Sequence, residues 1–260
     1  KNADNGPITF FETPISLNTS ISLEGGDEKS NFLINFSHLE QSGLLPNSKI
    51  KKNNFSGKFT HNFNDKLTAT VFANFIQQGA VGRNSTGYND NIMSNFRQWW
   101  QTNVDIKALE DVYNNSGGQN VTWNIKSPTN LTPAYWDNPY FTRYKNYQND
   151  SRNRFLGYGK LDYKIKDWIS TTFRVSTDTY AEIQEERRAV GSIATEFGLT
   201  DANNARIEQA SGYQRFNRNY SENNYDLLIN FNKDITKDIS FSRLLGGTIN
   251  RIKINSIVAA

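Results

Sequence analysis

The side chains most able to do chemistry are few. His38 and His61 are the only imidazoles among 260 residues, and there is no cysteine. A thiol nucleophile, a cysteine-based zinc site and a disulfide frame are therefore excluded. The surrounding patterns put His38 near the long-loop end of one strand and His61 near the tight-turn end of another. At opposite rims they cannot share a metal ion or build a Ser–His pair. The chain carries neither GxxxxGK[ST] nor HExxH. Gly25-Gly26-Asp27 reads as a hairpin turn rather than a phosphate cradle, and Asp27–Lys29 and Glu185–Arg187 as solvated charge. No catalytic centre, cofactor or metal is expected, so the chain does not read as an enzyme. The net charge of +3 gives no argument for a nucleic-acid partner.

Aromatic residues are the other chemistry on offer, at 13% of the chain. Trp99, Trp100, Trp123, Tyr135, Trp136 and Tyr140, with Phe141 and Tyr144, crowd into one interval. Aromatic rings give large contact area at little entropic cost, so Trp99, Trp100, Trp123, Tyr135, Trp136 and Tyr140 are candidate ligand or partner contacts. For any one of them packing of the interval on itself is the better account, and for the interval as a whole the two readings stand nearly even. Within it, Ile92, Phe96 and Trp99, continued by Ile106, Leu109 and Tyr113, follow helical spacing. Thr102 or Asn103 is positioned to cap a helix starting near Val104, with Asp105 at the favourable end of its dipole and Gly117-Gly118 ending it.

The elements that must position these residues read as strands. From Leu156 to Asp178, Leu161, Tyr163, Ile165, Ile169, Phe173 and Val175 alternate with Lys160, Asp162, Lys164, Ser170, Arg174 and Ser176. Side chains on a strand alternate faces, so one face is apolar and the other charged. The same rule holds over 15–24, 30–39, 54–63, 67–76 and 239–250, and along Tyr225, Leu227, Ile229 and Phe231. About eight strands of roughly 10 residues result, the length a tilted strand needs to cross a bilayer. Short connections at 25–29, 64–66, 166–167 and 232–238 alternate with long ones at 40–53, 77–150 and 181–215. Alternation alone also fits a soluble half-buried sheet. Sorting the loops by end favours a membrane barrel with tight turns on one side and long outer loops on the other.

On that reading Phe173 and its companions face lipid, while Arg174 faces a wet interior and tolerates substitution. A low hydrophobic content of 36% and a mean hydropathy of −0.69 then suffice, because no large core has to be filled. Tyr163 and Trp168 become interfacial anchors. Leu33, Phe72 and Leu228 fall on the interior side. Arg243 shares parity with Ile239 and Phe241, so a bulge before Gly246-Gly247 is expected to turn it inward. DANNARIEQA at 201–210 reads as a short helix in an outer loop.

Three stretches carry a family resemblance: SLEGGDEKSNFLINFSHLEQSGLLPNS, WWQTNVDIKAL, and NPYFTRYKNYQNDSRNRFLGYGKLDYKIKDWISTTFRVSTDTY. They resemble the barrel region of the SusC/RagA family of TonB-dependent outer-membrane transporters, from about Phe10 to Arg251. The resemblance implies an all-β, antiparallel meander barrel of 22 strands, of which this chain supplies one section, in the outer membrane of a Gram-negative, Bacteroidetes-type bacterium. It implies a SusD-like lipoprotein lid, energy from a TonB complex, and import of an oligosaccharide or peptide. Plug and TonB box are not in this sequence, the N-terminus reads as the inside of a longer or processed chain, and the last residues, from Ser256, are expected to lie in another long loop. The rival readings are a structural subunit of a larger outer-membrane assembly, docked to other barrels without import, and a soluble carbohydrate-binding β-sheet module.

Overall fold

The computed structural model describes residues 1–85, 91–193, 195–200, 206–209 and 211–260, with only the backbone of 195–200 and 206–209 considered. Eight strands form one antiparallel meander: β1 (Ser16–Gly26), β2 (Ser30–Ser42), β3 (Lys49–Asn64), β4 (Leu67–Val81), then β7 (Gln148–Lys166), β8 (Ile169–Arg188), β11 (Gly212–Asp234) and β12 (Ser240–Ala259). Two small hairpins, β5 (Ile125–Ser127) with β6 (Asn130–Pro133) and β9 (Thr195–Thr200) with β10 (Arg206–Gln209), lie in the connections. The eight strands of the meander run 11 to 23 residues, and all but β1 extend well beyond the lengths read from alternation. Hydrophobic alternation stops where the apolar stripe stops, but backbone pairing continues above it. The connection expected over 40–53 therefore shrinks to 43–48. β12 likewise runs through 256–259, paired to Arg215–Arg218 of β11, where a long loop was expected. Of 201–210, only Arg206–Gln209 is described, and it is a strand rather than a helix; the remainder of that stretch lies outside the described residues.

The register fixes which side chains share a face. One row crosses all eight strands: Gly26, Asn31, Thr60, Thr70, Lys160, Arg174, Asp226 and Thr248. The first tight turn closes on this row. The second closes at Asn64–Leu67, the third at Lys166–Ile169 and the fourth at Asp234–Ser240, eight residues further along β11 than Asp226. At ~3.3 Å per residue and ~4.8 Å per strand, an eight-residue advance over six strand spacings means a tilt of about 40° when the turns share one plane. A sheet assembled as flat rungs would keep its turns level with the register.

The upper edge of the apolar face steps in the same direction. On β7 the face extends from Ile165 up to Phe155 and then gives way to Asn153, Ser151 and Asn149. On β11 it extends from Phe231 to Tyr225 and gives way to Asn223, Ser221 and Asn219. At that tilt the ten residues on β7 span about 25 Å, the height of the apolar band on a transmembrane barrel, and the six on β11 about 15 Å. Its loop-side rim carries Phe36, Phe55, Phe75 and Phe155, paired in series across β2, β3, β4 and β7. All four rings are exposed, as is Phe173 at 45%.

No second layer of described residues covers this face. Every buried hydrophobic residue of the one core cluster, Phe10, Ile92, Ile106, Leu109, Tyr113, Tyr140 and Phe141, belongs to a lobe at the loop end of the sheet. The lobe is built from the N-terminal segment, the 43–48 connection, the long insertion after β4 and the segment after β8. Among the described residues no helix is long and apolar enough to cross a membrane, which leaves crossing by strands untouched.

Arg243 stays on the apolar face. The β11–β12 register is uninterrupted and pairs it with Phe231, so the expected bulge is absent. Register makes a bulge unnecessary. Arg243 lies two residues above Phe241, at the turn-side edge of the band, where a long cationic side chain reaches water.

Candidate functional site

Two regions could act on a solute: the polar face of the sheet and the lobe at its loop end. The polar face is a ladder of compensated charge. Lys160 pairs with Asp162 at 2.7 Å, Arg174 with Asp226 at 2.8 Å, Arg152 with Glu182 at 2.8 Å and Arg83 with Asp150 at 3.0 Å, and Arg154 pairs with Asp178. Tyr180 stacks on Tyr220 at 4.9 Å, with the Arg152 guanidinium 5.0 Å from the Tyr180 ring. Glu222 accepts from Tyr220 Oη, Asn224 Nδ2 and Asn250 Nδ2. Phe72 stacks on Tyr158 at 5.5 Å, and Leu228 lies over Gly246, where an added Cβ would meet Cδ2 at 2.5 Å. These two apolar side chains of the polar face thus find contacts within the sheet. The wall is polar and hydrogen-bonding, with its charges largely cancelled.

Arg174, expected to tolerate substitution, is tied to a cross-strand partner. Its Nε and Nη2 both lie 2.8 Å from Asp226 Oδ2, and the Asp226 side chain is only 7% exposed. A period-two pattern reports the face of a residue and nothing about its cross-strand partner.

The lobe starts with a one-turn helix α1 (Ile92–Ser94) that widens into a π turn over Asn95–Trp99, followed by α2 (Ile106–Asn115) and α3 (Pro139–Lys145). Asp105, rather than Thr102 or Asn103, caps α2, accepting from Lys107 and Ala108 N–H; the Asn5 carboxamide also donates to it. Ser116 then ends the helix, with Gly117 and Gly118 at φ 70° and 80°. The helical stripe is interrupted, and with it the place of Trp99: that side chain is 49% exposed, while Trp100 turns toward the core and packs on Trp123 at 4.6 Å. Asn138 caps α3 through Tyr140 N–H, and its Nδ2 donates to Leu109 O and Val121 O. The signal for this was present as Asn-Pro ahead of an apolar pair, a cap followed by proline at the first helical position.

Arg143 joins the lobe to the sheet. Buried at 2% exposure, it donates Nε to Pro46 O at 2.9 Å and Nη2 to Gly82 O, while Asn47 Nδ2 donates back to Arg143 O at 2.9 Å. Burial lowers its pKa to about 10, so it stays charged at neutral pH. Nothing in the sequence marks this clasp, because its members lie 61 to 97 positions apart.

Of the six aromatic contact candidates, Tyr140 is corrected outright. It is 2% exposed, its ring packs on Phe10 at 5.0 Å and its hydroxyl donates to Glu110, so it belongs to the lobe core. Trp100 and Trp123 are half-buried against that core, and Trp136 is half-buried too. Tyr135 is 77% exposed and, with Trp99, lies open on the lobe. Tyr163 is exposed on the apolar face opposite Leu67. Trp168 sits at the third tight turn, with the Lys166 and Lys233 ammonium groups 5.8 and 5.1 Å from its ring. His38 bonds Asn53 and His61 bonds Ser30, eight residues apart along β2.

Asp137 latches the segment after β8 to the lobe. Its carboxylate accepts from Asn120 Nδ2 at 2.6 Å, Ile193 N–H at 2.9 Å and Asn146 Nδ2 at 3.4 Å. Burial pushes its pKa up to about 6, above the ordinary carboxylate value. The folded lobe then holds the proton more tightly than the unfolded chain. This contribution is fully present below about pH 4 and is lost as pH rises through about 6, a change of about 2–3 kcal/mol. Asp137→Asn is expected to stabilise the lobe at pH 7.5 and to flatten its pH dependence. Hydrogen exchange of the α3 amides between pH 5 and 8 reads both effects.

Comparison with known proteins bears on this geometry. No family model and no curated protein matches the chain. Among solved structures, a chain of the RagAB peptide importer in its closed-closed state matches with a TM-score of 0.68 at 13% identity, over 99% of this chain and 27% of that one. A RagAB peptide transporter structure gives 0.63 at 13% identity, over 96% and 26%. The open-open importer gives 0.64 at 12% identity, over 96% and 25%. The fold is that of a section of a RagAB chain. The protein spans about a quarter of the solved chains it matches. The RagAB likeness agrees with the family resemblance carried by the sequence. It extends over the lobe as well as the sheet, since almost the whole chain is aligned.

Proposed function

We propose that the chain is a section of the barrel of a SusC-like, TonB-dependent outer-membrane transporter that imports a solute such as an oligosaccharide or peptide with a SusD-like lipoprotein. The observation that carries this reading is the slanted apolar band. Its exposed side chains, its height of about 25 Å on β7 and the stepped turns beneath it fit hydrocarbon and not a second protein layer. β1 and β12 both remain unpaired edges among the described residues. Lipid does not tolerate such edges, so further strands of a larger barrel, 22 in this family, complete the sheet. The long loops then face outward, the compensated polar face lines the interior, and Trp99 and Tyr135 on the lobe are the side chains offered to the lipoprotein or cargo.

The test uses the full-length protein in its native cells. Labelled oligosaccharides and oligopeptides are supplied with the TonB complex present or removed. TonB-dependent accumulation of at least one probe, with a surface lipoprotein co-purifying, is the expected result. Unchanged uptake of every probe, with other barrels co-purifying in place of a lipoprotein, would instead make the protein a structural subunit.

A further inference from the structure

Two neighbouring indoles compete for one place in the lobe. Ile92, Phe96 and Trp99 are spaced as one face of an α-helix, and the residues from Ile92 to Trp99 include no glycine or proline to break it. The chain nevertheless widens over Asn95–Trp99 into a π turn. Relative to the buried Ile92, an α-helix at about 100° per residue would bring Trp99 to within about 20° and leave Trp100 about 80° away. With about 82° per residue over the π turn, Trp100 comes to within about 10° and Trp99 swings out to about 90°. The side chains follow the second pattern: Trp100 packs on Phe96 at 5.2 Å and on Trp123 at 4.6 Å, while Trp99 is 49% exposed.

The π turn leaves polar atoms of the lobe unpaired. Trp100 Nε1, Trp123 Nε1 and Asn95 Oδ1 are shielded from solvent by the chain's own atoms and have no hydrogen-bond partner among the described residues. Strands beyond β1 or β12 do not reach groups already enclosed in this way. An enclosed donor or acceptor without a partner carries the full desolvation penalty of that group. The α register relieves part of it. Asn95 and Trp99 then stand four residues apart on one helix face, the spacing at which side chains meet, so the Trp99 N–H can donate to the Asn95 carboxamide oxygen. Trp100 turns outward, where water satisfies its N–H. Sequence spacing thus favours one register and the fold holds the other, the condition for a two-state element. Single π turns within helices gather at functional sites.

We propose that this segment is a two-state switch. In the π state Trp100 fills the slot against Trp123 and Trp99 is presented on the lobe surface; in the α state the two indoles exchange places. What Trp99 is presented to rests on the functional reading above, whereas the exchange itself does not. A lipoprotein or cargo that grips Trp99 binds the π state and draws the population to it. The unpaired polar atoms of the π state keep the α state within reach.

Fluorotryptophan is placed singly at Trp99 or at Trp100 in the full-length protein, and fluorine NMR spectra are recorded with and without the co-purifying lipoprotein. Each position is expected to exchange between an enclosed and a solvent-accessible environment, with mirrored populations at the two positions. Deletion of Gln98 turns the π turn into an α turn with Trp100 still in the slot, and should leave one environment at each position. Asn95→Ala removes the acceptor that the α state uses and should lower the minor population about fivefold. Bound lipoprotein should deplete that same minor state. A single environment at both positions of the unmodified protein, or populations that do not mirror each other, would overturn the switch. So would exchange that persists after the Gln98 deletion. Populations unmoved by bound lipoprotein would overturn the presentation of Trp99. Absence of any co-purifying lipoprotein would instead count against the functional reading, with exchange in the free protein still deciding the switch.

Discussion

Phe173→Lys should abolish assembly of the full-length protein into the outer membrane, while Ser176→Lys, three residues along the same strand, should leave it intact. The contrast isolates the medium on each side of the sheet. Phe173 lies four residues above the tight-turn end of β8, close to the middle of the band, between Leu161 and Leu227. A lysine there, away from either interface, costs about 2–4 kcal/mol, enough to shift a marginal folding equilibrium by two orders of magnitude. Ser176 faces the other way, between Tyr158 and Asn224, on a wall that already holds cations. The assembled fraction, read by surface protease resistance, decides the matter. Equal, mild effects from the two changes would place the same aqueous medium on both faces. Arg174→Gln belongs between them: it leaves Asp226 with the Thr248 hydroxyl at 2.8 Å and without its guanidinium, a loss of about 1–3 kcal/mol.

How much of this was legible in the sequence depends on the range of the interaction. Strand faces follow from period-two alternation, so the meander and the outward side of Phe173 could be read directly. Tight turns announce themselves locally, as at Asp27, whose carboxylate accepts from Lys29 and Ser30 N–H. Register is a relation between strands, and it alone reveals the phenylalanine row, the stepped turns and the place of Arg243 at an edge and not at mid-band. The lobe was harder still. Its aromatics are visible as a cluster, yet which ring is core and which is surface depends on chain reversals between Trp99 and Tyr140. Tyr140 went inward because Asn138 sets the start of α3 and Phe10, 130 residues earlier, supplies the opposing ring. The N-terminal segment offers no periodic signal that it packs there.

The clasp at Arg143 carries the second large effect. Arg143→Met is expected to unfold the lobe while leaving the eight-stranded sheet paired. Methionine keeps the aliphatic packing but leaves the Pro46 and Gly82 carbonyls without their buried donor. Hydrogen bonds to a charged group contribute about 1.5–3 kcal/mol each, so losing two costs about 3–6 kcal/mol locally. Arg143→Lys should rescue little, because a single ammonium cannot reproduce the planar fork that reaches two carbonyls. Gly82→Ala tests the same joint without touching charge. Gly82 sits at φ 71°, and an added Cβ would lie 1.8 Å from Asn47 O, a backbone atom that cannot step aside. Both variants should release amide protection across 92–146 and expose the lobe to protease, with the amides of β7 and β8 still protected. A lobe that stays protected in Gly82→Ala would show that the 43–48 connection adapts and that the clasp is not what holds it. If the lobe opens as expected, co-purification of the proposed lipoprotein should fall with it, because Trp99 and Tyr135 both stand exposed on the folded lobe.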